Sequence, residues 1–329
     1  MNTALYRIFI VMLSCCVLVS KAYTDDADFC ESKINITTTT IPIASIIANV
    51  GGKFVSINTL HNESGCVYHL SFKPSQINAI KKSHLVFYID DEFEQYMSKI
   101  KSKYNTKNVD KTIPKFIKLS DIKSLKVYDE ETIKGKEVLY LNDWHIWFNI
   151  HNIIMIAKHV QEHLQQLLPN QTKYFNKRSK QFQNRIIQIY HDLNIAMREY
   201  RQYCVENDLK HLAQDYIPGF GYVGGPIFYN EFGLHSLDSR MAIFNNRIQS
   251  IDSADNSHMH IVKALSNKKC MFIDNNIDTN KIEKMFKKLK KDVKIIKIPV
   301  ENWNTDQGYE NLMERQFQKM IRDFNECSQ

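Results

Sequence analysis

Short apolar segments of strand length alternate with helix-like segments along most of the chain. Strands are predicted at residues 34–46, where the strand leads into a helix, at residues 54–60, and at residues 84–89 (HLVFYI). The last of these is apolar at nearly every position, as in strands that are buried on both faces of a parallel sheet. The polar, lysine-rich residues 99–136 predict a surface excursion, that is, a segment that leaves the sheet and runs over the protein surface. The next strand is predicted at residues 138–141. This alternation indicates α/β architecture.

A long amphipathic helix is predicted in the middle of the chain. The helical pattern breaks near Pro169 and then continues over residues 172–203, and strand-like segments return at residues 269–273 and 293–300. Because 329 residues exceed what one small core usually holds, we expect two α/β lobes, each with a mainly parallel sheet flanked by helices and joined by the long helix. The expected boundaries are residues 23–171 for the N-terminal lobe, 172–203 for the joining helix and 204–329 for the C-terminal lobe.

The N-terminus has the pattern of a secretory signal peptide. Arg7 precedes an apolar run over residues 8–19, and small residues follow where a signal peptidase cuts. The run is too short to span a bilayer comfortably. We therefore expect residues 1–22 to be a signal peptide and the mature chain to act in the periplasm, with a lipid anchor on Cys15 or Cys16 as the alternative.

Charge and motifs weigh against two classes of function. The net charge is +7, but the lysines are spread along the chain rather than gathered in one basic stripe, so we expect no nucleic-acid partner. A zinc hydrolase needs an open metal position and a nearby general base, and no HExxH or comparable motif supplies them. We expect a monomer without enzymatic activity.

Three residues that can bind a metal ion follow predicted strands. His69 closes the loop after the second strand, His145 follows residues 138–141, and Glu301 follows residues 293–300. Ligands of open α/β sheets bind beyond the carboxyl ends of the strands. Two imidazoles and a carboxylate suit Zn²⁺ or Mn²⁺. These positions therefore predict a transition-metal site, with zinc as the expected ion and manganese as the alternative.

Four segments resemble successive motifs of one family, the metal-binding solute-binding proteins of bacterial ABC importers. They are residues 68–75 (YHLSFKPS), 84–94 (HLVFYIDDEFE), 143–147 (DWHIW) and 229–234 (YNEFGL). The His-Ile-Trp form of the third segment is typical of the zinc-uptake branch. The resemblance covers nearly the whole mature chain. It implies a protein that captures a transition-metal ion outside the cytoplasmic membrane and delivers it to the permease and ATPase subunits of an ABC importer.

The resemblance implies His69, His145 and Glu301 as metal ligands, with two departures from the family pattern. Aligned without gaps, the family's first histidine falls on Tyr68, one residue before His69. A further ligand position falls on Tyr222, whose phenol, with an ordinary pKa of about 10, is a poor zinc ligand near neutral pH. Weak binding by Tyr222, a water molecule or another side chain are the alternatives there. A secreted adhesin-like or structural binding protein that has lost metal capture is the alternative function.

The cysteines also match the zinc-uptake branch. That branch often has two bonded cysteines at the places of Cys270 and Cys327, so the resemblance implies a disulfide between them. Cys30 and Cys66 are a less certain second pair, and Cys204 would then be the unpaired thiol of the odd set that remains after removal of the signal peptide.

A pair of histidines lies outside these motifs. His159 and His163 are spaced four residues apart on a predicted helix, a spacing that can hold zinc on one face. The run HVQEH lacks the residue order of a metalloprotease motif, so we expect structural or surface roles for both.

Overall fold

The structure is a computed structural model, and it describes the following parts of the chain: residues 33–60, 73–104, 114–134, 137–206, 270–274, 294–299 and 303–328, with Asn280, Glu283, Lys284 and Lys287. Within residues 128–143, 199–206, 270–274 and 327–328 it describes the backbone alone.

Helices and strands alternate over the first half of the described chain. The helices are α1 (Ile41–Gly51), α2 (Pro74–Lys81), α3 (Tyr96–Tyr104), α4 (Ile150–Leu167), α5 (Thr172–Glu206) and α6 (Leu312–Ser328). The strands are β1 (Ile34–Thr38), β2 (Val55–Thr59), β3 (Leu85–Tyr88), β4 (Lys115–Lys118), β5 (Tyr128–Lys134), β6 (Glu137–Asp143), β7 (Cys270–Asp274) and β8 (Lys294–Ile298). Short 3-10 helices lie at Gly52–Phe54, Leu119–Asp121, Ile146–Phe148 and Pro169–Gln171.

A four-stranded parallel sheet in the order β2-β1-β3-β4 forms the centre of the N-terminal part. The chain winds outward from β1 to β2 and then crosses to the other side of β1 to form β3 and β4. The winding direction therefore reverses between β1 and β3, and open α/β sheets bind ligands at the carboxyl ends of strands at such a point. Every residue of β3 is buried, as its apolar sequence predicts.

Helix α1 is buried along its whole length. It contacts α4, α5 and α6, and the Met313 backbone N–H of α6 donates to the Ser45 hydroxyl of α1 at 2.9 Å. A mostly apolar helix that is buried on all sides is typical of a protein core. The C-terminal helix is therefore fixed to the same core as the parallel sheet.

The long helix α5 is attached to α1 and α6 by two arginines. Arg178 donates from Nε to the Asn49 carbonyl at 2.8 Å. Arg185 donates to the Asn49 side-chain oxygen and to Glu314, each at 3.0 Å. Hydrogen bonds that involve a charged group are stronger than neutral ones, so these contacts hold α5 against both neighbouring helices.

Gly52 ends α1 in a backbone conformation that other residues rarely adopt, with φ of 53°. A Cβ at this position would lie 2.3 Å from the Tyr174 hydroxyl oxygen. We expect Gly52→Ala to lower the free energy of unfolding by about 2–3 kcal/mol, through the positive φ and the close contact together. Urea denaturation measures this loss.

Gly308 provides the matched control for this prediction. Its φ is 72°, but a Cβ there would have no atom of the described residues within 4 Å. Gly308→Ala should therefore cost only the conformational term, about 1 kcal/mol. Equal losses in the two variants would contradict the role of the Tyr174 contact.

The predicted α/β fold with parallel sheets and a long helix is confirmed. The long helix begins at Thr172, as predicted, and the break before it is the 3-10 helix Pro169–Gln171. The prediction of a surface excursion over residues 99–136 is wrong. That segment contributes β4, which has the sequence KFIK and lies at an edge of the central sheet. Lysines are common on edge strands, where they oppose pairing with other chains, so a lysine-rich composition does not exclude a strand.

The strand before His145 differs from its predicted setting. Residues 138–141 do lie in a strand, β6, but β6 pairs antiparallel with β5 and not with the parallel sheet. His145 therefore follows a hairpin instead of a strand of the central sheet. Its distance from the carboxyl ends of the parallel strands is set by packing rather than by sheet register.

Several predictions lie outside the described residues. They include the signal peptide over residues 1–22 and the segment 207–269, so the division into two lobes stays a prediction. The disulfide between Cys270 and Cys327 also stays a prediction, because only the backbone of β7 and of the end of α6 is described. None of the helices that the structure describes combines the length and apolarity needed to cross a bilayer.

Candidate metal centre

His145 is buried two residues after the end of β6, at the start of the 3-10 helix Ile146–Phe148, with 4% of its surface exposed. Its ring lies edge-on to the ring of Trp147, with 5.2 Å between centroids, and to that of Phe93, at 6.2 Å. Phe93 belongs to the segment that follows β3. The packing therefore places the His145 imidazole beside the chain that leaves the carboxyl end of the central sheet.

Hydrogen bonds from three directions hold the turn that contains His145. Asn149 caps α4, since its side-chain oxygen accepts from the Asn152 N–H at 3.0 Å. The Asn152 amide in turn exchanges two bonds of 2.7 Å with the backbone of Lys126, before β5. The Tyr190 hydroxyl of α5 donates to the Phe148 carbonyl at 3.0 Å. A ligand placed on so constrained a turn needs little ordering when a metal binds.

Buried hydroxyl groups line the carboxyl end of the central sheet. Thr38 and Thr40, at and just after the end of β1, are fully buried, and their hydroxyls have no hydrogen-bond partner among the described residues. Thr59, the last residue of β2, lies with its hydroxyl 3.0 Å from that of Tyr309. Tyr309 precedes α6, so this contact brings the C-terminal part of the chain to the same edge of the sheet.

Glu94 is a buried acid at this edge that the sequence analysis did not single out. It is fully buried, and Oε2 accepts from the backbone N–H groups of Ile89 and Asp90, each at 2.9 Å. Burial raises the pKa of the Glu94 carboxyl to about 8, because a low-polarity environment disfavours its charged form; the two backbone bonds act in the opposite direction.

The raised pKa of Glu94 predicts a pH-dependent stability. Folding retains a proton on Glu94 that the unfolded chain releases, so the stabilisation is complete below the ordinary pKa of 4.5 and is lost as the pH rises through about 8. Glu94→Gln cannot ionise and keeps an acceptor oxygen. Between pH 6 and pH 8 we expect its stability to rise relative to wild type by roughly 2 kcal/mol in denaturant titrations. A constant difference between the two proteins over this range would show that Glu94 is ionised in the folded state.

Only one of the predicted metal ligands lies within the described residues. His145 is described, whereas His69, Glu301 and Tyr222 lie outside the described ranges, as does Tyr68. The described neighbours of Glu301 in sequence are Pro299 and Trp303, and the Trp303 indole N–H donates to the Pro299 carbonyl at 3.1 Å. Within the described ranges, no group of three or more His, Cys, Asp or Glu side chains could hold a metal ion.

Family comparison identifies the type of protein. A family model described as zinc-uptake complex component A, periplasmic (ZnuA), matches residues 36–216. This span is more than half of the 329 residues and includes most of the central sheet, Glu94, His145 and α5. The chain belongs to the ZnuA family. Its members are solute-binding proteins rather than enzymes. The family match confirms the resemblance found in the sequence motifs.

Individual relatives agree with membership of the ZnuA family. The chain is 27% identical over 296 residues to the uncharacterized protein RP014 of Rickettsia prowazekii (strain Madrid E), an alignment that covers 90% of this chain and 84% of that protein. It is 21% identical over 184 residues to the manganese ABC transporter substrate-binding lipoprotein PsaA of Streptococcus pneumoniae, covering 54% of this chain and 56% of PsaA. The crystal structure of ZnuA superposes with a TM-score of 0.62 at 14% identity, covering 90% of this chain and 98% of that one.

The comparisons give this ZnuA-family chain a general role. It is a metal-binding component of an ABC importer, of the kind that works in the periplasm or as a lipoprotein. Proteins of this kind imply a permease and an ATPase as partners. The cargo of its relatives is zinc in some and manganese in others.

Proposed function

We propose that this chain captures Zn²⁺ in the periplasm and passes it to the permease and ATPase subunits of an ABC importer. The observation that carries the proposal is the buried position of His145, in the run DWHIW, beside the carboxyl end of the central sheet. Open α/β sheets bind their ligands beyond the carboxyl ends of the strands, and the His145 imidazole packs against Phe93, in the chain that leaves β3 at that end. Export by the signal peptide predicted over residues 1–22 supports the periplasmic location.

We propose His69, His145 and Glu301 as the ligands, with Tyr222 at a fourth position. His69, Glu301 and Tyr222 lie outside the described ranges, so their assignment rests on the sequence motifs and on their positions after predicted strands. Two imidazole nitrogens and a carboxylate are a usual zinc ligand set. Both imidazoles must be neutral to bind, so affinity should fall on acidification.

Zinc is favoured over manganese because of the nitrogen content of this ligand set. Imidazole suits zinc, whereas Mn²⁺ prefers carboxylate and water oxygens and stands lowest in the Irving–Williams order. We therefore expect metal-free protein to retain Zn²⁺ when it is given Zn²⁺ together with Mn²⁺ in about tenfold excess. Mass spectrometry of the metal content after desalting measures which ion is bound.

The three outcomes of this competition separate the alternatives. Retention of zinc supports the proposal. Retention of manganese would assign the chain to the manganese-binding members instead. Retention of neither ion would support an adhesin-like or structural protein of the same fold that has lost metal capture.

A further inference from the structure

His159 and His163 form a close pair on α4, away from the candidate metal centre. Their Nε2 atoms are 3.3 Å apart, and their rings are nearly perpendicular, at 87° with 4.7 Å between centroids. His159 lies nine residues beyond the start of α4, or about 14 Å along the helix axis. Lys115, which contacts His163, is the first residue of β4. The His163 ring also lies edge-on to that of Phe87 in β3, with 6.1 Å between centroids, so the pair packs against the β3–β4 side of the central sheet.

The separation of the two nitrogens fits a shared metal ion. Two nitrogens bound tetrahedrally to zinc at about 2.0–2.1 Å are about 3.3–3.4 Å from each other. The Nε2 atoms of His159 and His163 are already at this distance. Both residues are only partly buried, and 31% of the His159 side chain is exposed, so an ion and its water ligands can reach them.

We propose that His159 and His163 form a second binding site for a divalent transition-metal ion, of the class of Zn²⁺, Ni²⁺ and Cu²⁺. Imidazole nitrogens suit these ions. The two Nε2 atoms supply the protein ligands, and water completes the coordination. With two protein ligands, the site should bind more weakly than a centre with three or four.

The surroundings of His159 favour the ligand form of its ring. The Glu162 carboxylate lies 3.7 Å from His159 Nδ1. A carboxylate on that side favours a proton on Nδ1, which leaves Nε2 free to bind the ion, as in metal sites where a carboxylate orients a ligating histidine. Burial is the main cause that lowers the pKa of both histidines, to about 4 for His163, so both are neutral near pH 7.

Lys115 opposes metal binding at His163. Its ammonium lies 3.3 Å from His163 Nδ1, where it donates a hydrogen bond to the ring. That bond favours the tautomer with a proton on Nε2, the atom that must bind the ion, and the positive charge repels a cation. When the His163 proton moves from Nε2 to Nδ1, the ring can bind the ion but no longer accepts from Lys115. Gln166 Oε1, 3.4 Å from the same ammonium, then offers Lys115 another acceptor.

Equilibrium dialysis of the full mature protein against stepped Zn²⁺ concentrations tests the site. We expect His163→Gln and His159→Gln each to lower the zinc affinity of the second site at least about tenfold. At zinc concentrations that fill this site in wild type, wild type should therefore bind one equivalent more than either variant. Lys115→Gln should tighten the same equivalent by about three- to tenfold, because it removes the opposing charge. His151→Gln is the matched control on the same helix, since His151 bonds to the Ser124 carbonyl and should not affect zinc binding.

The outcomes are independent of the zinc site proposed at His145, because each variant leaves His145 unchanged. If both histidine variants bind as many zinc equivalents as wild type and the His151 variant, the pair is only a hydrogen-bonded contact and the proposal is wrong. If His163→Gln unfolds in thermal melts, His159→Gln decides the question by the same measurement.

Discussion

His145→Ala should lower the zinc affinity of the protein by at least about 100-fold, since even the loss of a group that only supports a ligand costs 10–100-fold. The imidazole is buried and held by a turn that is bonded to α4, to α5 and to the chain before β5. No other histidine of the described chain packs against Phe93 and Trp147. Isothermal titration with Zn²⁺ measures the loss.

The matched control is His191→Ala, at a side chain that is 67% exposed on α5. It removes one imidazole from the chain without touching the turn after β6, so zinc affinity should stay unchanged. A similar loss in both variants would indicate diffuse binding by surface histidines. An unchanged affinity in both would remove His145 from the proposed ligand set.

Trp147→Ala should lower the free energy of unfolding by about 3–5 kcal/mol, which is the usual cost of removing a large buried aromatic side chain. Trp147 has no exposed surface and is among the largest fully buried side chains of the described chain. Its ring packs against those of His145, at 5.2 Å, and Phe148, at 6.0 Å. Deletion of this ring leaves a cavity beside the candidate metal centre that its constrained neighbours can fill only in part.

Denaturant titration of the metal-free protein measures this loss, which keeps metal binding out of the comparison. Trp147→Phe serves as the control, because it keeps an aromatic ring in the cavity and should cost distinctly less than the alanine variant. A loss below about 1 kcal/mol in Trp147→Ala would show that the turn after β6 can collapse without the indole, contrary to the close packing described above.

Much of the N-terminal architecture could be predicted because its signals are local. The apolar run that forms β3 and the break before α5 each lie within a short segment. Such signals depend on side-chain periodicity and backbone preferences within a few residues. The same holds for the run DWHIW, whose resemblance to a family motif pointed to His145 before its position was known.

Strand pairing could not be predicted in the same way. The run KFIK of β4 has no apolar periodicity of its own, and it is a strand because it pairs with β3 at the edge of the sheet. Likewise, the strand before His145 was recognised, but its antiparallel partner β5 was not. Pairing depends on a second segment that is distant in sequence, and a single run of residues carries little information about it.

The sequence by itself determined the α/β class, the positions of most helices and strands in the described N-terminal part, and a family resemblance that the match over residues 36–216 confirmed. Only the tertiary structure decided that Glu94 is buried, that Phe93 and Trp147 enclose His145, and that the Nε2 atoms of His159 and His163 meet at 3.3 Å. Periodicity is a property of one segment, whereas burial, pKa and ligand distances arise where several segments pack together and exclude water.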